Sequence, residues 1–533
     1  MGRASGPWLF YVRGGIRRER SGPLRPQTCR VRSQNAAPPV STAGPHNIPG
    51  IPFMPLVFSG LSRRLPALLF MSFISLQADA ARLPEGLGKA YGKPITAEGI
   101  TEYRLDNGLR VVLAPDADQT VTAIDLTYRV GSRNEHEGQG GMSHLLEHLV
   151  LAGTPRQPAV ADEFQRRGMD VKASTSADRT RYVATFQANH MDLAWYLGWH
   201  AAAMLHSAWR RADVEAALPV IFAELEVRDK TPERVLRQKM RGAAFHWHSY
   251  GNDPMGTHAD MANVRLDRLQ AYQAEYYQPD NAVLTIAGRF DAPLTLSAIA
   301  DTLGKLPRPR RNVPEDYRVE PLQDGNHAVT LRRVGGYPLV ATMYHVPATG
   351  SRDHTLLLLA ADMLAASGAH RLQDELVATG LAGKVSTQAL GWRDYGLIEF
   401  RAALKPAMDT ESAQRVLNRV VETLRLHPYT QEELNQARRR WLDTRTRTLA
   451  DPQALTDALS KASVNGDWRL IFLERDRVRD ATLVEVQRVA DHYLTRANRN
   501  QGRYIPTASP EPQPASAPVD LGPELRRYET DVD

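Results

Sequence analysis

Cysteine is nearly missing from this sequence: 533 residues contain one, Cys29. That excludes a disulfide framework within the chain and a thiolate zinc site. No run approaches the ~18 uninterrupted apolar residues of a membrane-spanning helix. The body of the chain also lacks a charge of one sign. The whole sequence carries +6, but residues 1–80 hold ten Arg against only Glu19 and Asp79, a net +8. The remaining 453 residues sum to −2, so the basic balance leaves no nucleic-acid footprint. Hydrophobic residues at 42% and charged residues at 24% are ordinary globular usage, which excludes a collagen-like, coiled-coil or wholly disordered chain.

The leader accounts for the asymmetry. Residues 1–53 are rich in Arg, Gly, Pro and Ser without apolar periodicity, and read as disorder or as sequence upstream of the true start. Met54 then opens a segment with Arg63-Arg64, the apolar run Leu65 to Leu76, and Ala78-Asp79-Ala80. That is the layout of a cleaved signal peptide over 54–80, with the mature chain starting near Ala81 in a periplasmic or secreted setting.

The body reads as two similar halves. Tyr103 to Ala114 forms a hairpin turning at Asn107-Gly108, and Thr122 to Val130 alternates as a strand. A Gly-rich loop over 131–141 leads into a helix from Ser143 to Ala152, with Ser143 as its cap and Gly153 as its stop. Arg181 to Gln187 and Asn281 to Gly288 read as strands. His190 to His206, Ala212 to Arg228 and Glu233 to His246 read as helices. The Pro- and Arg-rich stretch from Gly304 to Pro314 marks a linker. The pattern then restarts with strands at Ala328 to Val334, Pro338 to Val346 and Gly396 to Leu404. Helices follow at His354 to Ala366, 412–426, 431–447 and 453–465. The expected fold is α+β: two similar domains, each an antiparallel-rich sheet packed with helices, over 95–305 and 321–505, with a linker at 306–320 and a flexible tail at 506–533.

His144-Leu145-Leu146-Glu147-His148 carries the sharpest chemical signal. Residues i and i+4 share a helix face, so both imidazoles can meet one ion, and Glu147 lies on the same side. This inverts the H-E-x-x-H spacing of common zinc peptidases. A catalytic zinc usually takes three protein ligands and keeps one open position. The third candidate is Glu224 in Val220-Ile221-Phe222-Ala223-Glu224-Leu225-Glu226, which spacing alone favours over Glu226 only weakly. His246, His248 and His258 form a weaker alternative set, because i and i+2 point to different helix faces. Glu135 and His136 read as solvated loop residues rather than cleft lining.

The segment GSRNEHEGQGGMSHLLEHLVLAGT (131–154) resembles the active-site segment of the pitrilysin/insulinase zinc metallopeptidases, which include the mitochondrial processing peptidase. The likeness continues through ASTSADRTRY (173–182), YGNDPMGTHADMANV (250–264) and YYQPDNAVLTIAGRFD (276–291). The resemblance implies a pair of similar α+β domains and one Zn2+ held by His144, His148 and Glu224, the last lying 76 residues after His148. It implies Glu147 as the general base, and strand-like pairing of a peptide substrate at Lys172 and Ala173. Lys172 replaces the family's usual Asn. Val377 and Gly383 stand where the family places an Arg and a Tyr that bind substrate and stabilise the oxyanion. The chain therefore resembles the N-terminal half of longer members. The resemblance implies a zinc endopeptidase of peptides or unfolded segments, completed by a homologous subunit or a homodimer. A metal-binding but non-catalytic assembly subunit is the alternative.

Overall fold

The computed structural model describes residues 93–528 apart from 155–156, 159, 206–208, 316, 367–369 and 512–519. The leader with Cys29, the signal-like segment 54–80 and much of the tail lie outside the described residues. The chain enters through β1 (Ile95–Ala97) and β2 (Ile100–Arg104), then turns at Asn107-Gly108 into β3 (Arg110–Pro115). β4 (Val121–Tyr128) follows, then a two-residue hairpin, β5 (Gly153–Thr154) with β6 (Gln157–Pro158), and then β7 (Asp170–Thr175), β8 (Thr180–Gln187) and β9 (Ala282–Gly288). Apart from that hairpin, these strands make one sheet in the order β1-β2-β3-β9-β4-β8-β7, antiparallel except for the β3–β9 pair. β7 is an end strand of this sheet. The helices of this half are α1 (Met142–Ala152), α2 (Val160–Arg166), α3 (His190–Leu205), α4 (Arg211–Lys230), α5 (Pro232–Ala244), α6 (His258–Ala262), α7 (Leu266–Tyr276) and α8 (Ala292–Asp301).

The second half repeats the plan with β10 (His327–Val334), β11 (Leu339–Pro347), β12 (Ala382–Gly391), β13 (Tyr395–Leu404) and β14 (Arg499–Thr507). The strand order is β10-β14-β11-β13-β12, again with one parallel pair, β10–β14. Its helices are α9 (Arg352–Ala365), α10 (His370–Leu372), α11 (Thr410–Glu422), α12 (Gln431–Ala450), α13 (Pro452–Val464), α14 (Leu470–Asp480) and α15 (Leu483–Tyr493). The expected α+β pair of helix-packed sheets is therefore present. The final strand runs to Thr507, so Pro506 belongs to the sheet rather than to a loose tail. The Pro- and Arg-rich linker is tied down where Arg311 forks onto Asp280 at 2.7 and 2.9 Å.

Each sheet buries one face under helices of its own half and the other under a helix lent by the opposite half. Leu236 and Met240 of α5 pack on Leu339, Ala341, Met343 and Tyr504 of the second sheet. Leu459 of α13, with Trp468 and Phe472, packs on Val112, Val283 and Ala287 of the first. Fully burying one such side chain is worth roughly 1.5–3 kcal/mol, so each lent helix is a substantial tie. α5 and α13 start alike, each with Pro in its first turn, where the missing N–H has no helical partner to lose. Ion pairs accompany the exchange. Arg237 of α5 reaches Glu399 of β13 at 2.7 Å, and Asp457 of α13 takes Arg179 and Arg181 at 2.6 Å each. Among the described residues, no helix is long and apolar enough to cross a membrane.

Candidate metal centre

The Gly-rich loop before α1 is a fastening rather than a solvated loop. Gly131 lies so close to the main chain of the β7–β8 turn that a Cβ there would sit 2.1 Å from the Ser176 carbonyl. Gly141, left-handed at φ +78°, is the residue from which α1 starts, so Ser143 lies inside the helix and is not its cap. The expected cap is replaced by a carboxylate. Glu135, 1% exposed, accepts hydrogen bonds from the Gly141 and Ser143 main-chain N–H groups at 2.8 and 2.9 Å. Burial pushes its acid up to about 8, against the pull of those two hydrogen bonds. His136, by contrast, is exposed. The Ser143 hydroxyl pairs with Tyr272 at 2.8 Å, and Tyr182 donates to the Leu146 carbonyl at 3.4 Å. α1 is thus held from its first turn to its middle.

On that helix His144 and Glu147 are each 6% exposed. The two imidazole Nε2 atoms lie 3.2 Å apart, with rings perpendicular. α4 brings up Glu224, whose Oε2 stands 3.3 Å from His144 Nε2 and 3.4 Å from His148 Nε2. Ile221 and Leu225, both fully buried, turn Glu224 inward. Glu226 is exposed on the other side and pairs with Lys230 at 3.0 Å. The Glu224 Oε2 atom is buried and makes no hydrogen bond, as does His144 Nδ1. Three donors converging in this way fit zinc. Bonds of about 2.0–2.1 Å at tetrahedral angles put ligand atoms about 3.3 Å apart. Among the described residues, this is the one cluster of three or more His, Cys, Asp or Glu side chains placed to share an ion.

The electrostatics are those of a tight cluster. Burial raises Glu224, but the two imidazoles beside it outweigh that and hold it down at about 2. Burial lowers His148, yet Glu224 and Glu147 leave it raised overall. Glu147 is pushed up by burial in spite of His144 and His148, and the Thr175 hydroxyl donates to its Oε2 at 2.6 Å.

The other sequence candidates do not join this cluster. His258 stacks on Phe222, His248 sits by Asp394 at 3.4 Å, and His246 lies against His327, so the three form no shared site. Lys172 pairs with Asp170 beside it on β7, and Ala173 is buried in the core beneath α1. Val377 packs against the second core, and Gly383 is exposed near the start of β12. Neither lines the cavity beside His144.

That cavity, about 230 Å³, is bounded by His144, Glu147, the Ser174–Ser176 end of β7 and a row of arginines. Sequence reading passed over the row, although Arg234, Arg237 and Arg241 already fall on one helical face by spacing. The segment 250–264 closes the cavity's far side. Asp253 holds Arg228 at 3.0 Å, and the Gly256 carbonyl accepts from the same guanidinium at 2.9 Å.

Comparison with known proteins agrees with this arrangement. Residues 110–258 match the family described as Insulinase (Peptidase family M16), and residues 263–440 match Peptidase M16 inactive domain. The zinc protease PqqE of Helicobacter pylori is 30% identical over 342 residues, spanning 62% of this chain and 76% of that protein. A crystal structure of a protease from Helicobacter pylori superposes with a TM-score of 0.73 at 26% identity, over 76% of this chain and 99% of the other. The first half of the periplasmic protease PqqL from Escherichia coli shares the fold at a TM-score of 0.63 and 20% identity, over 78% of this chain and 94% of that structure. With the inverted zinc motif on α1, a carboxylate opposite it on α4 and two repeated α+β halves, the chain belongs to the insulinase family of metallopeptidases, peptidase family M16.

Proposed function

We propose that this chain is a zinc-dependent endopeptidase of peptides or unfolded protein segments, with His144, His148 and Glu224 as metal ligands and Glu147 as general base. The convergence of three donors with Glu147 beside them carries this reading. Zinc bound there supplies a Lewis acid that polarises a carbonyl and makes water a nucleophile near neutral pH. Glu147 takes the proton of the attacking water. As the oxygen adds to the peptide carbon and the C–N bond breaks, Glu147 returns that proton to the leaving amine. The Thr175 hydroxyl fixes the carboxylate that does this. β7 is an end strand, and its main chain at Lys172 and Ala173 pairs with an extended substrate by strand addition.

The site is half of a larger one. Val377 and Gly383, which stand where the family resemblance places the oxyanion-stabilising pair, lie away from the cavity, which supports a homologous subunit, or a second copy of the chain using other residues, as the source of those groups. The likeness to the first half of PqqL supports that division. PqqL is a periplasmic protease, and the signal-like segment 54–80 supports the same compartment, or secretion, for this chain, with processing near Ala81.

The test pairs metal analysis with cleavage of an unstructured peptide. Glu147→Gln keeps its metal and loses hydrolysis, whereas Glu224→Gln loses both. Retained zinc in Glu224→Gln overturns the ligand set. A purified chain that binds zinc yet cleaves nothing, alone or with a homologous half, is instead the metal-binding assembly subunit.

A further inference from the structure

The cavity beside the metal centre is charged in a way the scaffold does not require. Arg179, Arg228, Arg234, Arg237 and Arg241 border it, against the carboxylates of Glu147 and Asp253. Three of these arginines come from one face of α5, at i, i+3 and i+7. Like charges at such spacing destabilise a helix. The corresponding face of α13, equally far from its first-turn proline, carries Ala454, Asp457 and Lys461. A helix lent across the two halves therefore folds and packs without an arginine row.

Some of the charge is already matched. Arg237 holds Glu399, Arg228 holds Asp229 and Asp253, and Arg179 holds Asp457. Arg241 is different: its hydrogen bonds run to the main-chain carbonyls of Tyr250 and Asn252, and its guanidinium lies over the Trp392 ring. Burial, reinforced by the charge of Arg237, holds both Arg234 and Arg241 below the usual guanidinium range. An anion entering the cavity relieves that crowding. At about 230 Å³ the space is smaller than the about 300–1,000 Å³ of a drug-sized ligand site, so it suits one or two side chains.

We propose that this cavity is a specificity subsite for a carboxylate side chain of the substrate, an Asp or Glu close to the scissile bond, received by Arg234, Arg237 and Arg241. The proposal rests on the peptidase reading for its substrate class. The guanidinium fork matches a carboxylate two bonds at a time, and Glu147 on the same cavity wall sets how near the scissile bond that carboxylate lies.

Binding is measured apart from turnover, with Glu147→Gln protein and fluorescent unstructured peptides that differ only in Glu against Gln, each with a free or an amidated C-terminus. The Glu peptide is expected to bind about 10-fold or more tightly than its Gln twin, the worth of a charge-assisted hydrogen bond. Arg234→Gln and Arg237→Gln should each shrink that gap, and Arg237→Lys, which keeps the charge but loses the fork, should shrink it less than Arg237→Gln. Arg237→Lys and Arg234→Gln also serve if Arg237→Gln fails to fold with Glu399 left unmatched. In wild-type protein, mass spectrometry of the products should place cuts beside Glu. Equal affinity for the Glu and Gln peptides overturns the subsite. So does a preference unchanged in both arginine variants, or one that disappears on C-terminal amidation, which would make the terminal carboxylate the ligand. A Glu preference in binding with no cleavage by the wild type, alone or with a homologous half, leaves the subsite standing and removes the peptidase reading alone.

Discussion

Position by position, the pocket beside α9 repeats the pocket beside α1 with different side chains. His144 and His354 are both the third residue of their helices, which puts Leu357 and Leu358 where Glu147 and His148 stand. α4 and α12 are both 20 residues long and run into a proline-led helix, and Thr444 takes the place of Glu224. Thr175, which holds Glu147, corresponds by strand register to Gly391. The second pocket, about 360 Å³, is bounded by His354, Leu358, Gly391 and Thr444 among others. His354 there is buried, with neither ring nitrogen hydrogen-bonded, and burial drops it to about 4. Asp457 and Glu474 also border this pocket, but among the described residues no group of three ligand side chains there is placed to share an ion with His354. The second half therefore supplies structure: a sheet for α5 to cover, and α13 to cover the first sheet. The donor set that fits a metal is a handful of side chains on a frame that both halves share.

The largest expected difference between the pockets is in rate. Glu147→Gln should lower peptide hydrolysis by about 100- to 10,000-fold, the usual worth of a general base, with metal content unchanged. Its counterpart Leu357→Ala should leave the rate per folded molecule intact and instead cost about 2–5 kcal/mol of stability, because Leu357 is fully buried in the second core. Parallel measurement of initial rates and urea midpoints separates the two. A Leu357→Ala protein that folds normally but loses activity breaks the division of labour.

Next comes metal affinity. Glu224→Gln should weaken zinc binding by more than the about 10–100-fold that follows loss of a partner one shell further out. Thr444→Val should leave zinc content unchanged. The comparison sharpens if the second pocket is filled: Leu358→His together with Thr444→Glu, added to His354, should raise bound zinc towards two per chain in a chelator-competition titration. Failure of that graft with Glu224→Gln behaving as expected would show that backbone spacing, and not only side-chain identity, separates the pockets.

Much of this comparison was legible in the sequence, and the parts that were not have physical reasons. The inverted motif stands out because a helix places i, i+3 and i+4 on one face, whereas spacing favours Glu224 over Glu226 only weakly and the family resemblance is what singles it out. β7 (Asp170–Thr175) went unread because its alternation is largely polar, as an end strand with one open edge allows. β14 gives no clear strand signal because it begins Arg-Asn-Gln-Gly, and its last two residues, Pro506-Thr507, blend into the Pro-rich tail that follows. Glu135 looked solvated among glycines, yet it folds back on the helix that the loop precedes. The exchange of α5 and α13 between halves rests on contacts far apart in sequence, which local periodicity does not carry. The arginine row was visible as spacing, but its meaning depends on the cavity that the fold builds beside it.

The two helices also begin differently, and here the expected effect is titratable. α1 is fastened by the buried Glu135, whose folded acid lies at about 8 against an ordinary 4.5. The folded chain keeps that proton over a range where the unfolded chain has lost it. This contribution to stability is complete at low pH and is lost as pH rises through about 8, each pKa unit of separation being worth about 1.4 kcal/mol. Glu135→Gln cannot ionise. Between pH 5 and 9, then, the wild type should lose stability relative to Glu135→Gln in urea unfolding. A wild type that gains on the variant with rising pH would mean that the two main-chain N–H groups hold Glu135 ionised after all.

The smallest effect belongs to α9. Its first turn is capped by Ser351, whose hydroxyl accepts from the Asp353 main-chain N–H at 3.2 Å. Ser351→Ala strips one acceptor from a helix end that water still reaches, so it should cost about 1 kcal/mol. A hydroxyl does not titrate near neutrality, so that loss should be the same at pH 5 and at pH 9. Urea midpoints for Ser351→Ala and Glu135→Gln, each set against the wild type at both pH values, distinguish the helix starts: a constant offset for the serine and a pH-dependent one for the glutamate. If the Ser351→Ala offset grows with pH, the Asp353–Arg488 ion pair at 2.6 Å on the same turn is coupled to the cap, and the two starts are less different than their capping groups suggest.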